Sequence, residues 1–279
     1  MDFYRNMALR KIFLPLLEAF SFDFSIKHPW VKGARIKLNS FKHKGYWYHS
    51  KNREFQTMKL FEKLISPGNH IVEVGGHIGF ISIFFAELAG KRGQVTVYEP
   101  GSNNKKYIEY NILNRNEKGQ AGTIELIEKA VGAQTGFAPL YEDDLTGQNN
   151  SMVRDFDILK QNEKSANKTA TINVTNVQVE ALDDRFKDKK VDFIKIDIEG
   201  YELQALLGAR KIMERDKPTI MVEVQASRDE IWNLFSETGY LLFNDDGRRF
   251  EDADSLRYNV FALHGEQHVA KIDAIMGGS

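Results

Sequence analysis

The stretch Ile71-Val-Glu-Val-Gly-Gly-His-Ile-Gly79, followed at a helix's distance by Gln94-Val-Thr-Val-Tyr-Glu99, constrains the chain more than any other feature. Apart from Glu73, Ile71 to Val74 is apolar and β-branched, the composition of a strand buried on both faces of a parallel sheet. Gly75 and Gly79 then flank a turn into a helix over Ile78 to Leu88, leaving backbone N–H groups and bare Cα surface for a ligand across the strand end. Glu99 closes the second strand, where a carboxylate accepts hydrogen bonds from both hydroxyls of a ribose. The two strands together predict a nucleoside site. Close packing of helix on strand is the alternative reason for the glycines.

The glycine spacing separates the candidate nucleosides. Dinucleotide binders use G-x-G-x-x-G so that a pyrophosphate rests on the helix N-terminus. Here Gly75, Gly76 and Gly79 surround His77, and Glu73 stands two residues before the first glycine. A carboxylate at that place repels a pyrophosphate and suits the amino group of an amino-acid moiety, which favours S-adenosylmethionine over NAD. No Gly-Lys-Ser/Thr follows the strand, so a P-loop is excluded.

Composition narrows the class further. A chain of 279 residues with 42% hydrophobic content supports one large α/β domain plus an extension. Its 38 basic and 39 acidic residues give a net charge of −1, without the basic excess of a nucleic-acid binder. The absence of cysteine removes disulfides, thiolate metal sites and a cysteine nucleophile, and fits a cytoplasmic location. No apolar run reaches the roughly 20 residues of a transmembrane helix. Arg5, Arg10 and Lys11 precede Ile12-Phe-Leu-Pro-Leu-Leu17, but Glu18 interrupts the run and no small-residue cleavage site follows. The segment reads as an amphipathic helix packing on the domain or on a second subunit, which makes a homodimer through the N-terminal extension an expectation.

Alternation in Ala34-Arg-Ile-Lys-Leu38 and Gly45-Tyr-Trp-Tyr48 predicts a β-hairpin within 29–50, and Glu54 to Ile65 predicts a helix stopped by Pro67-Gly68. From there strand and helix alternate: strands at 71–75, 94–99 and Ile124–Val131, helices at 78–89 and 102–114. Glu142 to Ala170 is polar and reads as a long loop or lid. Strand character resumes over Thr171–Val179, then Val191–Ile196 and Thr219–Val224 with a helix Tyr201–Arg215 between them. A helix Asp229–Thr238, a strand Tyr240–Phe243 and a closing strand Tyr258–Leu263 complete the order. The pattern predicts a doubly wound, mostly parallel, seven-stranded α/β sheet with its last strand antiparallel. The expected division is an extension at 1–66, a ligand-binding domain at 67–265 and a tail at 266–279.

The second strong motif is Phe193-Ile-Lys-Ile-Asp-Ile-Glu-Gly-Tyr-Glu202, an apolar strand ending in carboxylates. Ligands of open α/β sheets lie outside such strand ends, which places Asp197 and Glu199 near whatever Glu73 and Glu99 hold. A charge ending an apolar strand is costly unless paired, so Asp197 is read as functional, whereas Glu202 is read as a helix N-terminal residue.

These residues carry a resemblance. Glu73 to Ser82, Tyr98-Glu-Pro100 with Asn111, Lys129-Ala-Val-Gly132, Leu182-Asp183, the run 193–209 and Val222-Glu-Val224 together resemble an FkbM-family S-adenosylmethionine-dependent methyltransferase, over roughly 70 to 225. The resemblance implies a Rossmann-like class I methyltransferase fold and methyl transfer, commonly to an oxygen of a sugar, glycan or secondary metabolite. The family's glycine loop carries Gly-Ala-Asn where this chain has Gly75-Gly76-His77. Expected cofactor contacts are Glu73, Gly75, Gly76, His77, Gly79, Glu99, Pro100, Ala130 and Asp197. Candidates for the base acting on an acceptor hydroxyl are Asp197, then His77, then Glu199, with Glu223 a fourth acid that can instead pair with Lys195. A divalent metal on Asp197, Glu199 and Glu223 is the less favoured arrangement. Competing readings are an idle methyltransferase-like binding module and an NAD-dependent oxidoreductase. Tyr46, Trp47 and Tyr48 either stack on a sugar or fill a satellite core, the core being preferred.

Overall fold

The computed structural model describes residues 15–115, 121–143, 150–154 and 172–277. A seven-stranded sheet is ordered β11-β12-β10-β9-β3-β4-β5. Its strands are β3 (His70–Val74), β4 (Gln94–Tyr98), β5 (Thr123–Ile127), β9 (Phe193–Ile196), β10 (Thr219–Val224), β11 (Tyr240–Phe243) and β12 (Tyr258–His264). β5, β4, β3, β9 and β10 run parallel, and β12 is antiparallel to both neighbours, β10 and β11. This is the predicted doubly wound, mostly parallel architecture. The reversal of direction from β3–β4 to β3–β9 opens a crevice at the carboxyl ends of β3 and β9.

Strand alternation sends successive residues to opposite faces, and each face has its own core. One holds Val72, Val74, Ile194, Ile196, Ile220 and Val222 against helices Glu202–Leu207, Arg210–Asp216 and Arg228–Glu237. The other holds Ile71, Val95, Phe193, Met221 and Phe261 against helix Phe80–Ala89, helix Phe55–Leu64 and the N-terminal extension. Glu73, Lys195, Glu223 and Asn259 alternate with the first set and so project toward the extension.

The extension's hairpin pairs β1 (Asp23–His28) with β2 (Val31–Asn39), earlier than the 29–50 expectation. Gly45 to Tyr48 is not its second strand but lies in a helix, Lys44–His49. Trp30 and Trp47 anchor this region: the Trp30 indole donates to the Lys51 carbonyl at 3.1 Å, and that of Trp47 to the Ser40 carbonyl at 2.9 Å. The Asn111 side chain grips the outer strand by pairing with both backbone groups of Lys37 (2.7 and 3.0 Å) while also donating to the Ile78 carbonyl (2.8 Å). Residues 15–19 are helical; the basic segment before them, and with it the expected dimer contact, lies outside the described residues.

Three further expectations change. The run 124–131 is two strands, β5 and the short β6 (Ala130–Val131), and β6 belongs to a separate three-stranded sheet ordered β6-β8-β7. That sheet also contains β7 (Gly136–Asp143) and β8 (Ile172–Glu180). The helix expected over 201–215 breaks at Gly208, where a Cβ would come within 2.1 Å of the Gly132 carbonyl oxygen. The tail carries a helix, Val269–Met276, with Ile275 buried. Of the polar excursion expected over 142–170, residues 142 and 143 end β7 instead of starting a loop, 150–154 are described, and 144–149 and 155–170 lie outside the described residues.

Candidate active site

A cavity of about 410 Å³ opens at the carboxyl ends of β3, β4, β9 and β10. Sheet register sets its floor. Glu73 is paired in register with Lys195, and Lys195 with Met221. One pleat further, Glu223 is in register with Asn259, and Asp197 extends β9 beside Glu223. Two rows of side chains thus point at the extension, which closes over them with Tyr46, Arg53, Glu54 and Thr57.

Lys195 is 4% exposed and joins the acids: its ammonium lies 2.9 Å from Asp197 Oδ2 and 3.9 Å from Glu73 Oε1. Burial alone would neutralise this lysine, yet the two carboxylates hold it firmly charged. Asp197 is half-buried, its side chain 40% exposed toward the cavity; its partial desolvation acts to raise the carboxyl, but Lys195 and a hydrogen bond from Glu223 hold it well below the usual carboxylate range. Glu223 is driven the other way by burial and by the Asp197 charge, so the pair shares one proton, held on Glu223. Glu73 accepts a hydrogen bond from Ser82 Oγ at 2.6 Å; burial pushes its carboxyl up to about 7, Lys195 being too distant to offset this fully.

The β3–helix turn fits tightly. Gly75 has φ +90°, and a Cβ there would lie 2.0 Å from the Asp197 carbonyl oxygen. The Gly75 and Gly76 N–H groups both donate to the Tyr98 carbonyl, at 3.0 and 3.1 Å. Gly76 and Gly79 face inward: Cβ atoms would approach Val97 Cγ1 at 2.4 Å and Ile108 Cγ1 at 3.1 Å, respectively. Close helix packing, not ligand approach, explains Gly79, which does not line the cavity.

Glu99 stands where the β4 pattern placed it and is 8% exposed. It accepts from the His77 N–H (2.7 Å), the Gly101 N–H (2.9 Å) and Asn104 Nδ2 (3.4 Å). Burial outweighs these bonds and raises its carboxyl to about 7. His77 has φ +49°; its Nδ1 shares a hydrogen bond with the Tyr46 hydroxyl at 3.1 Å. Burial holds its ring neutral, well below the ordinary histidine range, and its buried Nε2 has no partner among the described residues.

Pro100, Ala130 and Lys129 line the adjoining wall, and Lys129 is paired with Glu180 at 2.8 Å. Asn150, Ser151 and Met152 close it, so the described part of the polar excursion does border the cavity. Asn150 exchanges amide hydrogen bonds with Asn103 (3.1 and 2.8 Å), and Ser151 Oγ donates to the Glu199 carbonyl at 2.6 Å. Glu199 itself lines the cavity, whereas Glu202 is buried outside it, its carboxylate accepting from the Gly200 N–H.

The cavity therefore brings together Glu73, Gly75, Gly76, His77, Glu99, Pro100, Ala130, Asp197, Glu199 and Glu223. Sequence reasoning missed Arg53, Glu54, Thr57, Tyr258 and Asn259, which line the extension side. Tyr46 is 6% exposed beneath the Arg53 guanidinium, 4.5 Å from ring centroid to Cζ, and Trp47 packs against the core as preferred. Among the described residues no group of three or more His, Asp or Glu side chains is arranged to hold a metal ion. No helix among them is long and apolar enough to cross a membrane.

The cavity fits S-adenosylmethionine in kind: a buried diol acceptor at Glu99, an orphaned polar atom at His77 Nε2, and carboxylates that suit a sulfonium and an ammonium. Among solved structures, the chain is similar to a methyltransferase FkbM from Methylobacillus flagellatus KT (18% identity, TM-score 0.41). That match covers 75% of this chain and 50% of the other, so the chain spans about half that protein's length. It is also similar to an S-adenosylmethionine-dependent O-methyltransferase from Thermotoga maritima (13%, 75% of this chain and 64% of the other, TM-score 0.41). A third is Aeropyrum pernix fibrillarin with natively bound S-adenosyl-L-methionine (12%, 72% and 68%, TM-score 0.39). No curated protein matches the chain. The family model for the methyltransferase FkbM domain matches residues 73–250, and the chain belongs to that family.

Proposed function

We propose that this chain transfers a methyl group from S-adenosylmethionine to a hydroxyl of a sugar, glycan or secondary metabolite. The observation that carries the reading is one cavity holding both the Glu99 carboxylate and the Lys195–Asp197–Glu223 cluster, the first suited to a ribose diol and the second to an acceptor hydroxyl. The cofactor supplies an electrophilic methyl on a good leaving group, so most of the barrier reduction comes from positioning.

Glu99 takes the ribose, Pro100 and Ala130 flank the adenosine, Gly75 and Gly76 shape the turn beside it, and His77 Nε2 and Glu73 serve the methionine end. Asp197 orients the acceptor hydroxyl and receives its proton. Its low basicity is no obstacle, because the hydroxyl becomes strongly acidic as its oxygen bonds to carbon. Lys195 keeps Asp197 ionised beforehand, and Glu223 holds its position by donating to it. Glu199 borders the same space as a secondary candidate.

The test is calorimetry with S-adenosylhomocysteine, followed by a methyl-transfer assay over hydroxylated acceptors. Glu99→Ala should weaken binding by about 1–3 kcal/mol. Asp197→Asn should lower kcat by a factor on the order of 10²–10⁴. A wild-type protein that fails to bind S-adenosylhomocysteine would overturn the reading. Binding without turnover on any acceptor would favour an idle module instead.

A further inference from the structure

Residues 1–44 hold nine Lys and Arg against three Asp and Glu, and the rest of the chain holds 29 against 36, so a chain of net charge −1 is strongly polarised toward its extension. The hairpin gathers part of that charge on one face. Asp23 with Asn39, Ser25 with Lys37 and Lys27 with Arg35 are in register, which sends these side chains to the side opposite Ile36 and Leu38, both fully buried in the core. Lys27 and Arg35 are exposed there. The one acid of this row, Asp23, is taken up by Lys106 at 3.1 Å and by the Tyr107 hydroxyl at 2.7 Å.

Exposed apolar side chains adjoin this cationic row. The Lys37 ammonium lies 4.8 Å from the centroid of the Tyr110 ring, and Tyr110 shares a face of helix Ser102–Leu113 with Leu113, which is 80% exposed. Ahead of β1, Leu16, Phe20 and Phe22 are each more than half exposed. The Phe22 carbonyl accepts from the Ser40 N–H at 2.9 Å, at the turn whose next residues include Lys42 and Lys44. None of these side chains lines the cavity, so neither cofactor nor acceptor accounts for them.

We propose that this face seats the chain on an anionic lipid bilayer, with Leu16, Phe20 and Phe22 entering the headgroup region and Lys27, Arg35 and Lys37 meeting lipid phosphates. Charge draws such a surface to the headgroups, and apolar side chains leaving water hold it there. A second copy of the chain is the poorer occupant, because a two-fold interface would set the cationic row against itself. A nucleic-acid duplex would satisfy the cations and leave Leu16 and Leu113 uncovered. The proposal concerns where the chain sits and is independent of the methyl-transfer reading.

Co-sedimentation of the full chain with vesicles of phosphatidylcholine, alone or with about 40 mol% phosphatidylglycerol, tests this. Binding to the anionic vesicles should be at least about tenfold tighter than to the neutral ones, and raised salt should release the chain. Lys27→Gln with Arg35→Gln should weaken binding about twentyfold, and Phe20→Ser with Phe22→Ser about tenfold at constant charge. Soluble glycerol phosphate should not compete, since it offers no apolar layer. Urea denaturation should find the variants as stable as the wild type, and the lipid and salt dependence of the wild type tests the proposal without any substitution. Equal binding to neutral vesicles, binding to neither, or unaltered binding by the double phenylalanine variant would overturn it. So would a wild-type dimer in sedimentation velocity that the same variant converts to monomer, or tighter binding to a duplex oligonucleotide than to the anionic vesicles.

Discussion

Lys195 Nζ lies 2.9 Å from the Asp197 carboxylate, a residue two positions further along the same strand direction and on the same side of the sheet. The short spacing makes this buried cation the nearest to the acid cluster, with Arg53 acting on Asp197 and Glu223 from the extension side. Lys195→Met should leave Glu73, Asp197 and Glu223 crowded with Arg53 as the remaining compensation. Because the Asp197 side chain is 40% exposed, the loss should fall below the roughly 3–5 kcal/mol of a fully buried pair, and urea denaturation would register it. Adding Glu73→Gln should recover part of the loss, and no recovery would mean that Glu73 lies outside the coupling.

The pH dependence of cofactor affinity should follow Glu99. Its carboxyl is raised to about 7 by burial, and in the proposed role only the ionised form would accept from both ribose hydroxyls. Affinity for S-adenosylhomocysteine should therefore rise with pH toward about 7 and level off above it, and Glu99→Gln should flatten the curve.

Stability of the ligand-free protein should move the opposite way. Burial raises both Glu73 and Glu99 to about 7, above the ordinary glutamate range. Their favourable contribution is complete below the unfolded value and is lost as pH rises through about 7, because the folded chain must then carry two buried charges. Denaturation midpoints measured between pH 5 and 8 should show this decline, diminished in a Glu73→Gln variant.

Thorough chelation should leave methyl transfer unchanged. Of the three acids a divalent cation would need, Asp197 is already paired with the Lys195 ammonium and Glu223 holds a proton, which leaves Glu199. An activity that disappears with chelator and returns with magnesium would contradict this.

Asn111→Ala should destabilise the fold by about 2–3 kcal/mol, since it strands the buried Ile78 carbonyl and the partly buried backbone groups of Lys37. Urea denaturation gives the magnitude, and a change under about 0.5 kcal/mol would show that water replaces the amide.

The central strands were legible because burial on both faces leaves an unbroken apolar run, and Glu73, Glu99 and Asp197 stood out as acids ending or interrupting such runs. Gly45–Tyr48 was misleading because four residues cannot distinguish a period of 2 from one of 3.6; Tyr46 turns toward Phe80 and Trp47 toward Ser40 on a helix. β7 was hidden by Pro139, which a central strand would exclude but an edge strand accepts, and β7 is the edge of its sheet. The break at Gly208 depends on the Gly132 carbonyl, a contact no local pattern encodes. Arg53 and Tyr258 were invisible as site residues for the same reason: they are about two hundred positions apart and border one cavity only because the extension folds over β10 and β12.

Asn111 deserves a last consequence of its own, since one carboxamide ties the outer hairpin, the helix behind Glu99 and the carbonyl of Ile78 in the glycine turn. The hairpin, which does not itself line the cavity, is thus registered to the glycine turn that does by a single short side chain. Any exchange of the hairpin for one from another protein must bring a strand whose backbone presents an N–H and a C=O to that amide, or the extension will lose its seat against the turn.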